Sequence, residues 1–203
     1  SRLPDQLAGV LRPARFRSVM EGLDNVPWQA AGEALAGPWK ALQSGGAVEV
    51  GPGQEVRVLF DLEDYYCGYS QLTVEGGAGA EIAIDWAESL FENPDWRDYA
   101  KGNRDDWKGK YYHGFGDRFQ PDGPRRDFRS YWWRSGRYLE LRIRTADTPV
   151  RILDLAIGET RYPAAFGAGF SCSDPEIEAC LPMMVRGLEA CAHETFVDCP
   201  YYE

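Results

Sequence analysis

Val56-Arg57-Val58-Leu59-Phe60-Asp61-Leu62 sets Val56, Val58, Phe60 and Leu62 on one side of an extended chain, and Arg57, Leu59 and Asp61 on the other. Successive side chains of a strand point to opposite faces, so a period of two with one apolar row marks a half-buried β-strand. Working outward, Ile82, Ile84 and Trp86 alternate with Glu81, Ala83 and Asp85. Leu139, Leu141 and Ile143 alternate with Tyr138, Glu140, Arg142 and Arg144. Gly76-Gly77-Ala78-Gly79 separates Leu72–Val74 from Ile82–Trp86 and predicts a hairpin. Along Val150–Ile157 the apolar phase slips between Ile152 and Leu153, which predicts a β-bulge. Many short strands, glycine-rich turns and no long intervening helix predict a mainly β chain, an antiparallel β-sandwich over 47–165.

Around this core the pattern changes. Residues 91–127 mix turn residues with aromatics and read as a long decorated loop region, with a short strand at Lys110–His113. Trp96, Trp107, Tyr111 and Tyr112 in it are candidates for a sugar-stacking platform. Residues 1–46 read as an N-terminal extension, with a short helix within Leu3–Met20 and a loop over Gly32–Gly46. Past Tyr162-Pro163, Ser173-Asp174-Pro175-Glu176 forms a capping box. Ile177, Leu181, Met184, Leu188 and Cys191 then follow helical spacing. Pro182 lies inside that helix and predicts a kink or a displaced hydrogen bond. A single apolar stripe on this helix requires a partner.

Composition bounds the function. The chain has 203 residues, 44% hydrophobic and 27% charged, enough for one large domain or a domain with a further piece. Aromatics make up 13%, with seven Trp and eleven Tyr. In a β-rich chain most of these are core residues, and the remainder are the type that stacks on sugar rings. A net charge of −10 argues against a nucleic-acid partner, which requires a basic face. No apolar run reaches the roughly 18 residues of a membrane span, so no membrane partner is expected.

The start Ser1-Arg2-Leu3-Pro4 carries neither Met nor a signal-peptide core, which suggests that the native N-terminus lies upstream. Five cysteines without a C-x-x-C fit neither a disulfide framework nor a zinc site, and buried free thiols in a reducing compartment are expected. Cytoplasmic and periplasmic locations in a bacterium both stay open. His113 and His193 lack ligand spacing, and His193-Glu194 reads as polar surface. Asp61, Glu63, Asp64 and Asp85 form no spaced calcium loop. No metal and no cofactor is expected. Trp132 and Trp133, if on a strand, face opposite sides, one of them to the core.

The sequence closes on Asp198-Cys199-Pro200-Tyr201-Tyr202-Glu203, two carboxylates five residues apart at a proline-marked helix start. By itself this reads as a capping residue, Asp198 or Cys199, followed by a first-turn acid, Glu203. A chain that stops on the first turn of a helix also reads as a piece of something larger, with an acidic site at its end.

The order of parts adds a second reading. Phe128-Arg129-Ser130-Tyr131-Trp132-Trp133-Arg134-Ser135-Gly136-Arg137-Tyr138-Leu139 closes the strand-rich part, and the Tyr162-Pro163 junction follows. Phe170-Ser171-Cys172-Ser173-Asp174-Pro175 opens the helix, and Glu194-Thr195-Phe196-Val197-Asp198-Cys199-Pro200-Tyr201-Tyr202-Glu203 comes last. This series resembles, over roughly residues 50–203, the N-terminal portion of the bacterial α-L-rhamnosidases of glycoside hydrolase family 78. In that family a β-sandwich precedes an (α/α)6 barrel, the six-hairpin glycosidase fold.

The resemblance implies that residues 166–203 are a linker and the first helical segment of a truncated barrel. It also implies an inverting hydrolase that removes terminal α-L-rhamnose from a glycoside or oligosaccharide. Asp198 would contact the sugar hydroxyls and Glu203 would be the general acid, with the general base far downstream and absent from this chain. Inversion requires an acid and a base about 6.5–9.5 Å apart, so the chain alone is expected to be inactive, and its uncovered face could drive self-association. The competing reading is a non-catalytic carbohydrate-binding or interaction module; a duller one is a sandwich that only supports assembly.

Overall fold

The computed structural model describes residues 5–11, 15–164, 167 and 169–202. In chain order these form β1 (Leu7–Leu11), β2 (Arg15–Glu21), α1 (Glu33–Gln43), β3 (Val48–Val50), β4 (Glu55–Gly76) and β5 (Glu81–Ala87). A short 3-10 turn at Trp96–Asp98 follows, then β6 (Phe115–Phe119), β7 (Gly123–Arg129), β8 (Arg134–Arg144), β9 (Val150–Arg161), α2 (Pro175–Ala179) and α3 (Leu181–Cys191). Every pairing between these strands is antiparallel.

The long strand β4 belongs to two layers. Its first half pairs with β2 and β8, and β8 continues to β5 and then β6. Its second half pairs with β7 on one side and β9 on the other, and β9 carries β1 and β3. The pairing with β8 breaks between Asp61 and Tyr66, where Glu63 takes a left-handed backbone (φ 65°). The Asp61 carboxylate accepts the Glu63 amide at 2.7 Å, which gives the bulged backbone a partner. Between the layers lies one apolar core: Val58 and Phe60 of β4, Ile84 and Trp86 of β5 and Leu141 of β8 meet Leu72, Val74, Ile152 and Ile157. Trp39 and Leu42 of α1 belong to the same core. The sandwich anticipated from the alternation is therefore the observed fold, and so is the bulge in β9, where Thr73 pairs with Asp154 and Val74 with Ile152, leaving Leu153 over.

Several local expectations change. Gly76–Gly79 is not a hairpin: β4 and β5 do not pair, and the turn carries the chain from one layer to the other. Three glycines there have positive φ, and a Cβ on Gly77 would lie 2.6 Å from Val150, so the turn packs its backbone directly on β9. The described residues of 1–46 do not form an irregular extension, and those within Leu3–Met20 are mostly strand rather than a short helix. β1 and β2 extend the layers, pairing with β9 and β4, and residues 33–43 of the anticipated loop form α1 despite Pro38. Packing of Trp39 and Leu42 outweighs the poor helix propensity of Gly and Pro. Within the anticipated loop region 91–127, β6 and most of β7 are edge strands, whose mixed exposure hides the alternation. Lys110–His113 forms no strand; Tyr111 makes an isolated bridge to Phe91.

The outward face of β4 is not solvated either. Residues 25–32 and 88–114 fold over it, burying Arg57 and Leu59, and Arg17 and Arg137 close over Asp61. Arg57 donates to Glu140 Oε1 at 2.6 and 2.8 Å and lies 4.7 Å from the Trp28 ring centre. At the helical end, Asp174 rather than Ser173 caps α2, accepting the Glu176 amide at 3.0 Å. The Cys172 amide donates to the Glu178 carboxylate at 2.8 Å. The helix divides at Cys180, and Pro182 sits in the first turn of α3, where its missing N–H costs nothing.

Candidate functional site

The end of α3 and the segment after it lie on the rim of the sandwich. Arg186 donates to Asp64 at 2.9 Å and to the Tyr65 carbonyl, and its guanidinium covers the Tyr66 ring at 4.6 Å. Arg161 of β9 pairs with Glu189 at 3.3 Å, and the Tyr162 amide donates to the Ala192 carbonyl at 2.7 Å. The Cys67 thiol donates to the Ala190 carbonyl at 3.3 Å, and burial pushes that thiol up to about 12. All five cysteines are free, but only Cys67 is buried; Cys180 is exposed, and Cys172, Cys191 and Cys199 are half-buried.

Beyond α3 the chain folds back: Ala192 bridges Phe196, and the Val197 amide donates to the Cys191 carbonyl at 2.9 Å. His193 is not polar surface. It is buried, its ring lies flat on Trp133 at 4.2 Å, and its Nε2 is 3.2 Å from the Ala190 carbonyl. Burial holds its pKa below the ordinary histidine value. Trp132 and Trp133 are on no strand and do not divide between two faces. They stack on each other at 6.2 Å, with Trp132 exposed, because Ser130–Trp133 forms the bend between β7 and β8.

Asp198 is exposed in the bend after Val197, and Pro200–Tyr202 forms a turn. Glu203 lies outside the described residues. Tyr201 is half-buried, 5.9 Å from Phe115, with its hydroxyl 3.5 Å from the Trp86 carbonyl. Burial pushes its phenol well above the usual range. Tyr202 packs edge-on to it at 5.2 Å. Two clefts flank this turn and share Phe115, Tyr201 and Tyr202 in their walls. One, of about 310 Å3, runs toward Trp132 and Trp133. The other, of about 330 Å3, runs toward Trp96 and Tyr99, which pack edge-on at 6.0 Å. Its polar lining is the Glu88–Lys101 pair (3.3 Å), Ser89 and His113.

The other sequence candidates divide. Trp96 lines the second cleft. Tyr112 is buried, its hydroxyl donating to the Asp85 carbonyl at 2.7 Å, and burial pushes its phenol well up, so it offers no platform. Trp107 packs on the cluster around Trp28, and Tyr111 is held in its bridge to Phe91. The acidic residues of the sandwich are taken up by arginines. Asp61 binds Arg17 and Arg137, Asp85 binds Arg118 and Arg142, Asp64 binds Arg186, and Glu63 binds Arg15. Sequence reasoning missed Phe115, Ser89 and Tyr99 as cleft residues. Their signal is weak, since each lies in a separate segment and only folding gathers them.

Solved structures share this architecture. A rhamnosidase from Klebsiella oxytoca with rhamnose bound aligns over 97% of this chain and 37% of its own, at 18% identity and a TM-score of 0.62. A GH78 family rhamnosidase of Bacillus sp. GL1 aligns over 86% of this chain and 17% of its own, at 21% identity and a TM-score of 0.60. The chain therefore spans less than two fifths of either enzyme, and at these identities the likeness establishes the fold. No protein-family model and no curated protein matches the sequence.

Proposed function

We propose that this chain is the sandwich and first helical segment of a glycoside hydrolase that removes terminal α-L-rhamnose with inversion. The observation that carries the reading is the fold it shares, over nearly its whole length, with a rhamnosidase, with the Asp198 segment lying beside an aromatic cleft. In this reading Asp198 holds sugar hydroxyls, Glu203 protonates the departing glycosidic oxygen, and a carboxylate outside residues 1–203 activates water on the opposite face. An (α/α)6 barrel would surround Glu203 and hold its pKa high enough to donate a proton near neutrality.

The second reading, a carbohydrate-binding module, is favoured by the exposed aromatics Trp96 and Trp132 on the same rim. Release of p-nitrophenol from its α-L-rhamnoside separates the two. The gene product extended past Glu203 is expected to turn over, its Glu203→Gln variant to lose at least about a hundredfold in rate, and the 203-residue chain to show no turnover. Activity in the 203-residue chain, or an extended product that is inert, would overturn the hydrolase reading.

A further inference from the structure

We infer that the cleft between the Trp96–Tyr99 pair and the Tyr201–Tyr202 turn is a binding site for a second pyranose ring. Two independent features point to a sugar. The first is the wall: five aromatic side chains, Trp96 (50% exposed), Tyr99, Phe115, Tyr201 and Tyr202, line about 330 Å3. That volume is of the size a small ring fills, and aromatic faces suit the apolar C–H face of a pyranose.

The second is the polar complement. Ser89 is 1% exposed, lines the cleft, and its hydroxyl has no hydrogen-bond partner among the described residues. His113 Nε2, also in the lining, is buried without one. Unpaired buried polar groups are rare in folded chains and costly to leave so. Beside them, Glu88 and Lys101 form an ion pair at 3.3 Å, each side chain about 15% exposed, offering both an acceptor and a donor. A flat aryl ring would satisfy the wall and leave these groups unpaired; a ring bearing hydroxyls satisfies both. Its assignment to the leaving-group side of the scissile bond rests on the hydrolase reading, because the cleft adjoins the turn that precedes Glu203.

The 203-residue chain would be titrated with α-L-rhamnosyl-(1→6)-glucose, methyl β-D-glucopyranoside, methyl α-L-rhamnopyranoside and p-nitrophenol. The readouts are the Trp96 indole N–H resonance and the dissociation constant. Both glucose-bearing probes are expected to move that resonance. Ser89→Ala is expected to weaken them about threefold to tenfold without lowering Tm, since it deletes an unpaired buried hydroxyl. Tyr99→Ala is expected to weaken them by a similar factor.

A Trp96 resonance unmoved by either glucose-bearing probe, or moved by p-nitrophenol alone, would overturn the proposal, as would affinity unchanged in both variants. Turnover by the extended gene product is scored separately. An inert extended product with the Trp96 shift retained removes the hydrolase reading and leaves a sugar site; turnover without the shift removes the site alone.

Discussion

The Asp61 carboxylate is fully buried and receives Arg137, Arg17 and the Glu63 amide at the point where β4 bends from one layer into the other. Burial alone would raise its pKa, but the bonds from Arg137, Arg17 and Glu63 outweigh burial and hold it below the ordinary 3.8. A carboxylate depressed in the folded state contributes stability above its unfolded pKa and loses it as pH falls through the folded value. Asp61→Asn is therefore expected to cost about 3 kcal/mol at neutral pH, because two arginines lose their buried partner. The gap between variant and native chain should close as pH drops below about 4. Urea unfolding at neutral and acid pH checks this; a gap independent of pH would refute the ionic role. At this scale the sequence was only partly informative. Asp61 reads as a solvent-facing residue of a half-buried strand, and nothing local reveals that Arg17 and Arg137 from neighbouring strands close over it.

Among the elements, α3 is held to the sandwich chiefly by charge and hydrogen bonds rather than by apolar packing, since none of its residues is fully buried. Arg186 joins Asp64, the Tyr65 carbonyl and the Tyr66 ring. Arg186→Ala is expected to loosen residues 181–202 by about 1–2 kcal/mol, seen as faster amide exchange there while β5 and β8 stay protected. Equal loss of protection throughout would mean that Arg186 supports the whole fold. Edge strand β6 has a different sensitivity. A Cβ on Gly116 would lie 1.7 Å from the Ile84 carbonyl oxygen. Gly116→Ala is expected to cost more than about 2 kcal/mol and to displace Phe115 from Tyr201, measured by chemical denaturation and Tyr201 ring resonances. Native stability in this variant would show that β6 can shift without cost. The helix break was legible in the sequence because Pro182 acts locally, whereas β6 and β7 were not, because edge strands keep no apolar row.

For the molecule as a whole, the sandwich closes its own core, but α2 and α3 expose Ile177, Met183, Met184 and Leu188. Neighbouring apolar side chains left in water favour association. Sedimentation velocity is expected to show concentration-dependent self-association of the 203-residue chain, abolished by Met184→Glu with Leu188→Glu. A monomer at every concentration would count against it. Local chemistry in the sequence determined the strands of the core, the bulge at Leu153 and the helix break near Pro182. Alternation, phase slip and a missing N–H each act within a few residues. Only the tertiary structure decided that Gly76–Gly79 crosses between layers, that Arg57 and Asp61 are buried, and that His193 stacks on Trp133. It alone gathered Ser89, Trp96, Phe115 and Tyr201 around one cleft, because burial and the meeting of distant segments depend on contacts far apart in the chain, to which no local pattern is sensitive.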